Sequence, residues 1–225
     1  IKTVLENTNA EKDIHFISGP LDVLDHSSSK FTYGTKLGID ATTKFDVEKD
    51  DAEYKIVTKI NESDIRKSLL IESEIIRVET YNSGQIVVCA INKTNKDQLN
   101  LLVNKITNLT ELQNTRMLIM FDDLVELDDM NMIAWIASGN IDPKRDSYII
   151  ESTTSSCSKI VIDATRKSLA KDGFKRDWPN VVVSDEKTIL EIDKKWKSLK
   201  IGDFIESPSI KYRKLNKNKG AIAED

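Results

Sequence analysis

The chain of 225 residues is poor in the residue types that most catalytic and metal sites need. It has two cysteines, Cys89 and Cys157, and two histidines, His15 and His26, and their spacing matches no zinc motif. Its eight glycines form no phosphate-binding loop. No nucleophile stands beside a base in any recognisable pattern. No basic stripe with interleaved aromatics exists, and the net charge of −4 with a pI near 5.4 argues against nucleic-acid binding. No signal peptide or membrane-length apolar run is visible, so the Asn-x-Ser/Thr triplets at Asn61, Asn92 and Asn108 carry no weight. These absences point to a cytoplasmic, reduced protein, with Cys89 a buried thiol inside an apolar strand.

What is present is an ordinary globular composition, 39% hydrophobic and 31% charged, enough for one large domain or one and a half. One phrase occurs twice. Residues 36–44 read KLGIDATTK and residues 159–167 read KIVIDATRK. The repeat extends backwards, because Asn7–Asp13 aligns with Asn140–Asp146 and both precede an apolar strand. Asp13 to Lys36 is 23 positions and Asp146 to Lys159 is 13, so the second copy lacks ten residues. A period this long is not a solenoid, and the pattern predicts an internal duplication. Residues 1–7 align with the end of the second copy's helix, so the first copy is expected to lack roughly fifty residues. The open sheet edge this would leave predicts self-association.

The expected division is a partial first copy at 1–83, a fuller second copy at 84–210 and a fraying basic tail at 211–225. Strands are expected at 13–18, broken by Gly19-Pro20, and at 36–41, 85–91, 117–121, 147–151 and 159–163. Residues 45–53 read as acidic and exposed. Helices are expected to open at Asn61–Asp64, at Thr94–Asp97 as a capping-box variant, at Asp128 or Asp129, and at Ser184, the last stopping near Gly202. Alternation of strands and helices predicts an α/β fold, layered α/β/α around a central mixed, largely parallel sheet.

Phe121–Asp146 reads FDDLVELDDMNMIAWIASGNIDPKRD. This resembles the C-terminal domain of the UbiD family of decarboxylases, with an acidic strand end, a helix with a central Trp, then Asp-Pro-x-Arg-Asp. Trp135, Asp142, Pro143, Arg145 and Asp146 match. GPLDVLDHSS at 19–28 and YGTKLGIDAT at 33–42 resemble the family's next segment. Phe174–Pro179 resembles its arginine-Trp-Pro stretch. Three departures stand out. Leu124 replaces an acid, the second copy lacks the 19–28 loop, and the family's catalytic arginine and glutamates belong to upstream segments with no counterpart here. The resemblance implies a ubiquinone/menaquinone-type carboxy-lyase, reversibly decarboxylating an aromatic or α,β-unsaturated acid on prenylated FMN with a divalent metal (manganese) and potassium. This chain would be its non-catalytic C-terminal region, packing on an upstream flavin-binding domain and holding a homo-oligomer together, with no catalytic or metal residue and no cofactor of its own. The alternative is a structural or assembly module without decarboxylase activity.

Lys36 is the one residue the resemblance assigns to a site, at the flavin phosphate; otherwise it is a solvated lysine flanking a strand. Lys159 repeats it without the glycine-bearing loop and is expected to be structural. Asp40 and Asp163 end strands and are expected to cap the turn or helix after each. Asp22, Asp25 and His26 are better read as ordering their loop than as metal ligands. Asp122, Asp123 and Glu126 sit at a strand's C-terminal end, where α/β folds place ligands, although an acidic turn there is more often solvated. Trp135, Trp178 and Trp196 are expected to be core or interface anchors.

Overall fold

The computed structural model describes residues 1–48 and 60–224. In chain order its elements are α1 (Lys2–Asn7), β1 (Ile14–Pro20), β2 (Tyr33–Ile39), α2 (Glu62–Leu69), β3 (Ile75–Tyr81), β4 (Ile86–Ile91), α3 (Lys96–Ile106), β5 (Met117–Asp122), α4 (Met130–Asn140), α5 (Pro143–Asp146), β6 (Ser147–Ile150), β7 (Lys159–Asp163), α6 (Leu169–Asp172) and α7 (Glu186–Leu199). Two compact units are formed, Ile1–Arg176 and Asp177–Asp225. Of the acidic stretch 45–53, residues 49–53 lie outside the described residues.

Five strands of the first unit form one sheet in the order β3-β4-β5-β7-β6. The three central strands run parallel, and β3 and β6 close the edges antiparallel. The fold is therefore α/β around a mixed sheet. Every residue of β4 and β7 is buried, so both faces of the sheet are covered. That is why these strands read as continuous apolar runs and not as alternating ones. On one face Val87, Cys89, Leu118, Met120 and Val161 pack with the apolar stripe of α3, Leu99, Leu102, Val103 and Ile106, and with Ile65 and Leu69 of α2. Burying each such side chain stabilises by about 1.5–3 kcal/mol. Alternation sends Val88, Ala90, Ile119, Phe121, Ile160 and Ile162 to the other face, where they are also buried.

The remaining two strands form a separate antiparallel ribbon, with Ile14 opposite Ile39 and Pro20 opposite Tyr33. The Ala10 N–H donates to Ser158 Oγ at 3.0 Å, and Arg116 donates to the Thr8 carbonyl at 3.1 Å, tying the chain before the ribbon to the main sheet. Thr35 donates its hydroxyl to Asp142, which makes the Phe16–Leu37 side the inner face. Ile17 and Lys36 pair on the outer face, and both are exposed.

Several expected boundaries move for local reasons. Gly19-Pro20 does not break β1, because in a two-stranded ribbon the missing Pro N–H can face the open edge. The cap of α3 is Asn95, which accepts from the Gln98 N–H at 2.8 Å while Gln98 accepts from the Thr94 N–H at 2.7 Å. Asp97 stands one residue too early to reach back this way. In the second unit, Asp185 and not Ser184 caps α7, accepting from the Thr188 N–H at 3.0 Å. The left-handed stop of α7 is Lys200 at φ 54, and Gly202 turns the chain two residues later. Where fraying is expected, residues 210–215 form a 3-10 helix, and Asn180 donates to Asn218 and to the Gly220 carbonyl. Trp196 meets Phe204 edge to face at 5.8 Å, and Trp178 is buried. Trp135 is 47% exposed and so is not a core residue.

Candidate functional site

The repeated phrase builds the same constellation twice. In the first, Asp40 accepts from the Thr42 N–H at 2.9 Å and the Thr42 hydroxyl at 2.6 Å. Lys44 bridges Asp40 at 2.9 Å and Asp13 at 3.0 Å, and Asp13 accepts from the Asn9 N–H at 2.7 Å. In the second, Asp163 accepts from the Thr165 N–H at 3.0 Å and its hydroxyl at 2.5 Å. Lys167 lies 3.4 Å from Asp163 and 3.8 Å from Asp146, and Asp146 accepts from the Asp142 N–H at 2.8 Å. Spacing explains the phrase. Asp and Thr two residues on make an Asx-type turn, and Lys four residues on returns over it to the strand-end Asp and to the Asp that precedes the partner strand. Asp40 and Asp163 thus cap as expected.

The two copies differ in burial. The Lys44 and Asp40 side chains are 20% and 45% exposed, whereas those of Lys167 and Asp163 are 2% and 5%. Burial of the second triad is completed by Lys93, just beyond β4, which donates to Asp163 at 2.7 Å and also to Asp172. Burial opposes the charge on Asp163, but Lys167 and Lys93 outweigh it and hold the carboxyl down at about 2. Burial likewise opposes the charge on Lys93, and Asp163 and Asp172 raise its pKa above the ordinary value. A carboxyl lowered on folding stabilises above its unfolded pKa of 3.8, and that contribution is lost as pH falls toward about 2. Carbon NMR titration should place the Asp163 midpoint well below 3.8, with about 2 kcal/mol of unfolding free energy lost through that window. A midpoint at or above 3.8 would show that the ammoniums do not hold it.

A cavity of about 170 Å³ opens on this network, lined by Ser29, Lys96, Arg145, Lys167, Phe174 and Lys175 together with the three aspartates Asp146, Asp163 and Asp172. It sits beyond the C-terminal ends of β4 and β7, where open α/β sheets place ligands. Arg145 forks onto Asp146 with 2.8 and 2.6 Å bonds, donates to the Ser27 carbonyl at 2.7 Å, and lies 5.2 Å over the Phe174 ring. Arg176 donates to the carbonyls of Ser28 at 2.8 Å and Asp25 at 2.9 Å. The 19–28 loop is therefore held by two arginines distant in sequence, 118 residues from Ser27 and 148 from Ser28. Within the loop Asp22 accepts from the Leu24 N–H and Asp25 from the Ser28 N–H, the ordering role expected of them. Burial lowers the pKa of His26, against Asp25 and Asn140, which raise it.

Lys36 is on the outer face of the ribbon, away from this cavity's lining, and no carboxylate lies within ion-pair distance of it among the described residues. Lys159, its repeat, is buried and donates to the Leu112 carbonyl at 2.8 Å and Ser156 Oγ at 2.9 Å, the structural role expected. Asp122 accepts from the Arg166 N–H at 2.7 Å, and Glu126 lies 3.7 Å from Arg77, which also donates to the Val125 carbonyl, so this acidic turn braces loops. Lys93 and Asp172 carry no motif in the sequence. Their only signal is an isolated Lys and Asp flanking helices, which is not diagnostic. Among the described residues no group of three His, Cys, Asp or Glu side chains is placed to hold a metal ion, and no helix is long and apolar enough to cross a membrane.

An open mixed α/β sheet with this motif set is the architecture of a known domain class. The family model for the 3-octaprenyl-4-hydroxybenzoate carboxy-lyase C-terminal domain matches residues 1–41 and 64–164, and the chain belongs to that family. An uncharacterized protein of Helicobacter pylori (strain ATCC 700392 / 26695) is 28% identical over 199 residues, covering 87% of this chain. One from Archaeoglobus fulgidus is 29% identical over 145 residues, covering 58%. The chain spans 30% of the length of each of these relatives. Among solved structures, the vanillic acid decarboxylase of Sedimentibacter hydroxybenzoicus in open form is similar at 18% identity and TM-score 0.46, over 60% of this chain and 32% of that one. An evolved dimeric form of the UbiD-class enzyme HmfF from Pelotomaculum thermopropionicum, in complex with prFMN, aligns at 16% identity and TM-score 0.42, over 57% and 28%.

Proposed function

We propose that this chain is the non-catalytic C-terminal region of a UbiD-like carboxy-lyase. In this reading it packs on an upstream flavin-binding domain and helps hold a homo-oligomer together. The family match over both ends of the first unit carries the reading. The ribbon supports it, since Ile17, Phe31 and Tyr33 are 61%, 66% and 48% exposed around β1 and β2, an apolar surface suited to docking. We also infer that the two Asp–Lys–Asp triads descend from one duplicated unit, because their bonds correspond residue for residue.

Prenylated FMN bound upstream would supply the decarboxylation chemistry, with manganese and potassium held there too. Lys36 fits a phosphate in one respect, an exposed ammonium with no acidic partner among the described residues on an outward ribbon face. Its part is to bind and orient the phosphate end; the remaining contacts belong to the upstream domain. In the full-length protein, Lys36→Met should retain about tenfold less flavin after gel filtration, read by absorbance, with an unchanged melting temperature. Equal retention would remove Lys36 from the phosphate. This chain alone should release no carbon dioxide from an aromatic acid. A flavin-loaded full-length protein that releases none from a panel of aromatic and α,β-unsaturated acids would favour a structural or assembly module instead.

A further inference from the structure

We propose that the cavity beyond the C-terminal ends of β4 and β7 binds a small oxyanion of the phosphate class. The proposal does not depend on the decarboxylase reading. It rests on which charges at the cavity are already satisfied. Asp146 takes two bonds from Arg145 and one from the Asp142 N–H. Asp163 takes Lys93 and both donors of Thr165. Asp172 takes Lys93 and the Ser168 N–H at 3.0 Å. None of the three carboxylates is left to attract a cation. The cations are in surplus. Arg145 and Lys167 are paired with the acids, but Lys96 and Lys175 also line the cavity, and no carboxylate lies within ion-pair distance of either among the described residues.

Two unpaired ammoniums at the edge of a buried, charge-balanced floor give a positive potential in a partly desolvated site, where attraction to an anion is stronger than in water. At about 170 Å³ the cavity holds far more than one water requires, and a tetrahedral oxyanion can present separate oxygens to Lys96, Lys175 and the Arg145 side. The other triad is the internal comparison. Asp13, Lys44 and Asp40 form no part of this cavity's wall, and their neighbourhood has no counterpart of Lys93 and Asp172 among the described residues. The second copy differs by being buried and by facing a cavity with spare cations at its edge.

The test is amide NMR of this chain during titration with sodium phosphate, against sodium chloride at matched ionic strength and against sodium benzoate. Saturable shifts with phosphate at Lys96, at Lys175 and at Gly173, which also lines the cavity, half-complete near ~1 mM or below, are expected. Lys96 and Lys175 are exposed and without an ion-pair partner among the described residues, so Lys96→Ala and Lys175→Ala should fold, which the dispersion of the spectra checks. Each should weaken phosphate binding about tenfold, and the double variant should abolish saturation, while Lys67→Ala, an exposed lysine of α2 outside the cavity wall, binds as the parent does. The proposal is overturned by shifts that do not saturate, by equal shifts with chloride, or by saturation that survives in the double variant. Saturation by benzoate but not phosphate would overturn it in favour of a carboxylate site.

Discussion

Replacing Lys93 with methionine should destabilise the first unit by about 3–5 kcal/mol, the usual consequence of removing one partner from a buried ion pair. The Lys93 side chain is 2% exposed, and its partners Asp163 and Asp172 are 5% and 7% exposed. Methionine fills much the same volume, so the loss is electrostatic: two carboxylates stay buried, and Lys167 alone remains beside Asp163. The sign of the pH effect distinguishes this from a packing defect. Without the ammonium, Asp163 keeps Lys167 but loses one of the two cations that hold its carboxyl low, so its folded-state pKa moves up toward the unfolded value and the variant loses less stability than the parent as pH falls through that window. The parent loses the Asp163 contribution between 3.8 and about 2. Urea denaturation should therefore show the gap between them shrinking as pH falls from 3.8 toward about 2. A gap independent of pH would mean that Lys93 acts through packing. Lys44→Met, at the less buried triad, where Lys44 is 20%, Asp13 12% and Asp40 45% exposed, should have a smaller effect, because solvent screens the Lys44–Asp40 pair.

That contrast also marks what can be read from residue order. The phrase Asp-Ala-Thr-x-Lys is a local device, complete within five positions except for the upstream Asp, so its repetition is visible and so is the capping by its aspartates. Continuous apolar runs likewise announce β4, β5 and β7 as strands buried on both faces. Burial of the second triad has no such signature. Lys93 lies 70 residues before Asp163 and 79 before Asp172, and nothing in the sequence around Lys93 distinguishes it from a solvated lysine. The same holds for Arg176, which reaches across 148 residues to Ser28. Family resemblance picks out Arg145, Asp146 and the 19–28 loop separately. That Arg145 and Asp146 line one cavity while Arg145 also holds the loop through the Ser27 carbonyl is a tertiary fact that neither periodicity nor motif spacing encodes.

Gly34→Ala should unseat the ribbon while leaving the main sheet intact. Gly34 is buried where β2 crosses the 19–28 loop, and a Cβ there would come within 2.5 Å of Leu21 Cδ1, 2.8 Å of Ser28 Cβ and 2.9 Å of Asp142 Oδ2. Leucine could rotate away, but Ser28 is fixed by Arg176, and Asp142 is fixed by Thr35. The chain must therefore shift, at about 1–3 kcal/mol for overpacking, with the Thr35–Asp142 bond weakened as well. Gly38, on the same strand, is the control: its nearest neighbour to an added Cβ is the His15 carbonyl oxygen at 3.9 Å, so Gly38→Ala should be nearly silent. Native-state hydrogen exchange locates the damage. In Gly34→Ala the amides of β1 and β2 should lose protection by a factor of ten or more, corresponding to about 1.4 kcal/mol, while those of β4, β5 and β7 keep theirs. Uniform loss across both would mean that ribbon and sheet unfold as one cooperative unit, so that docking at Gly34 is not a separable event. Lys36 is two residues away on the same strand, so the same variant in the full-length protein should also lower flavin retention if the ribbon carries that lysine to the phosphate.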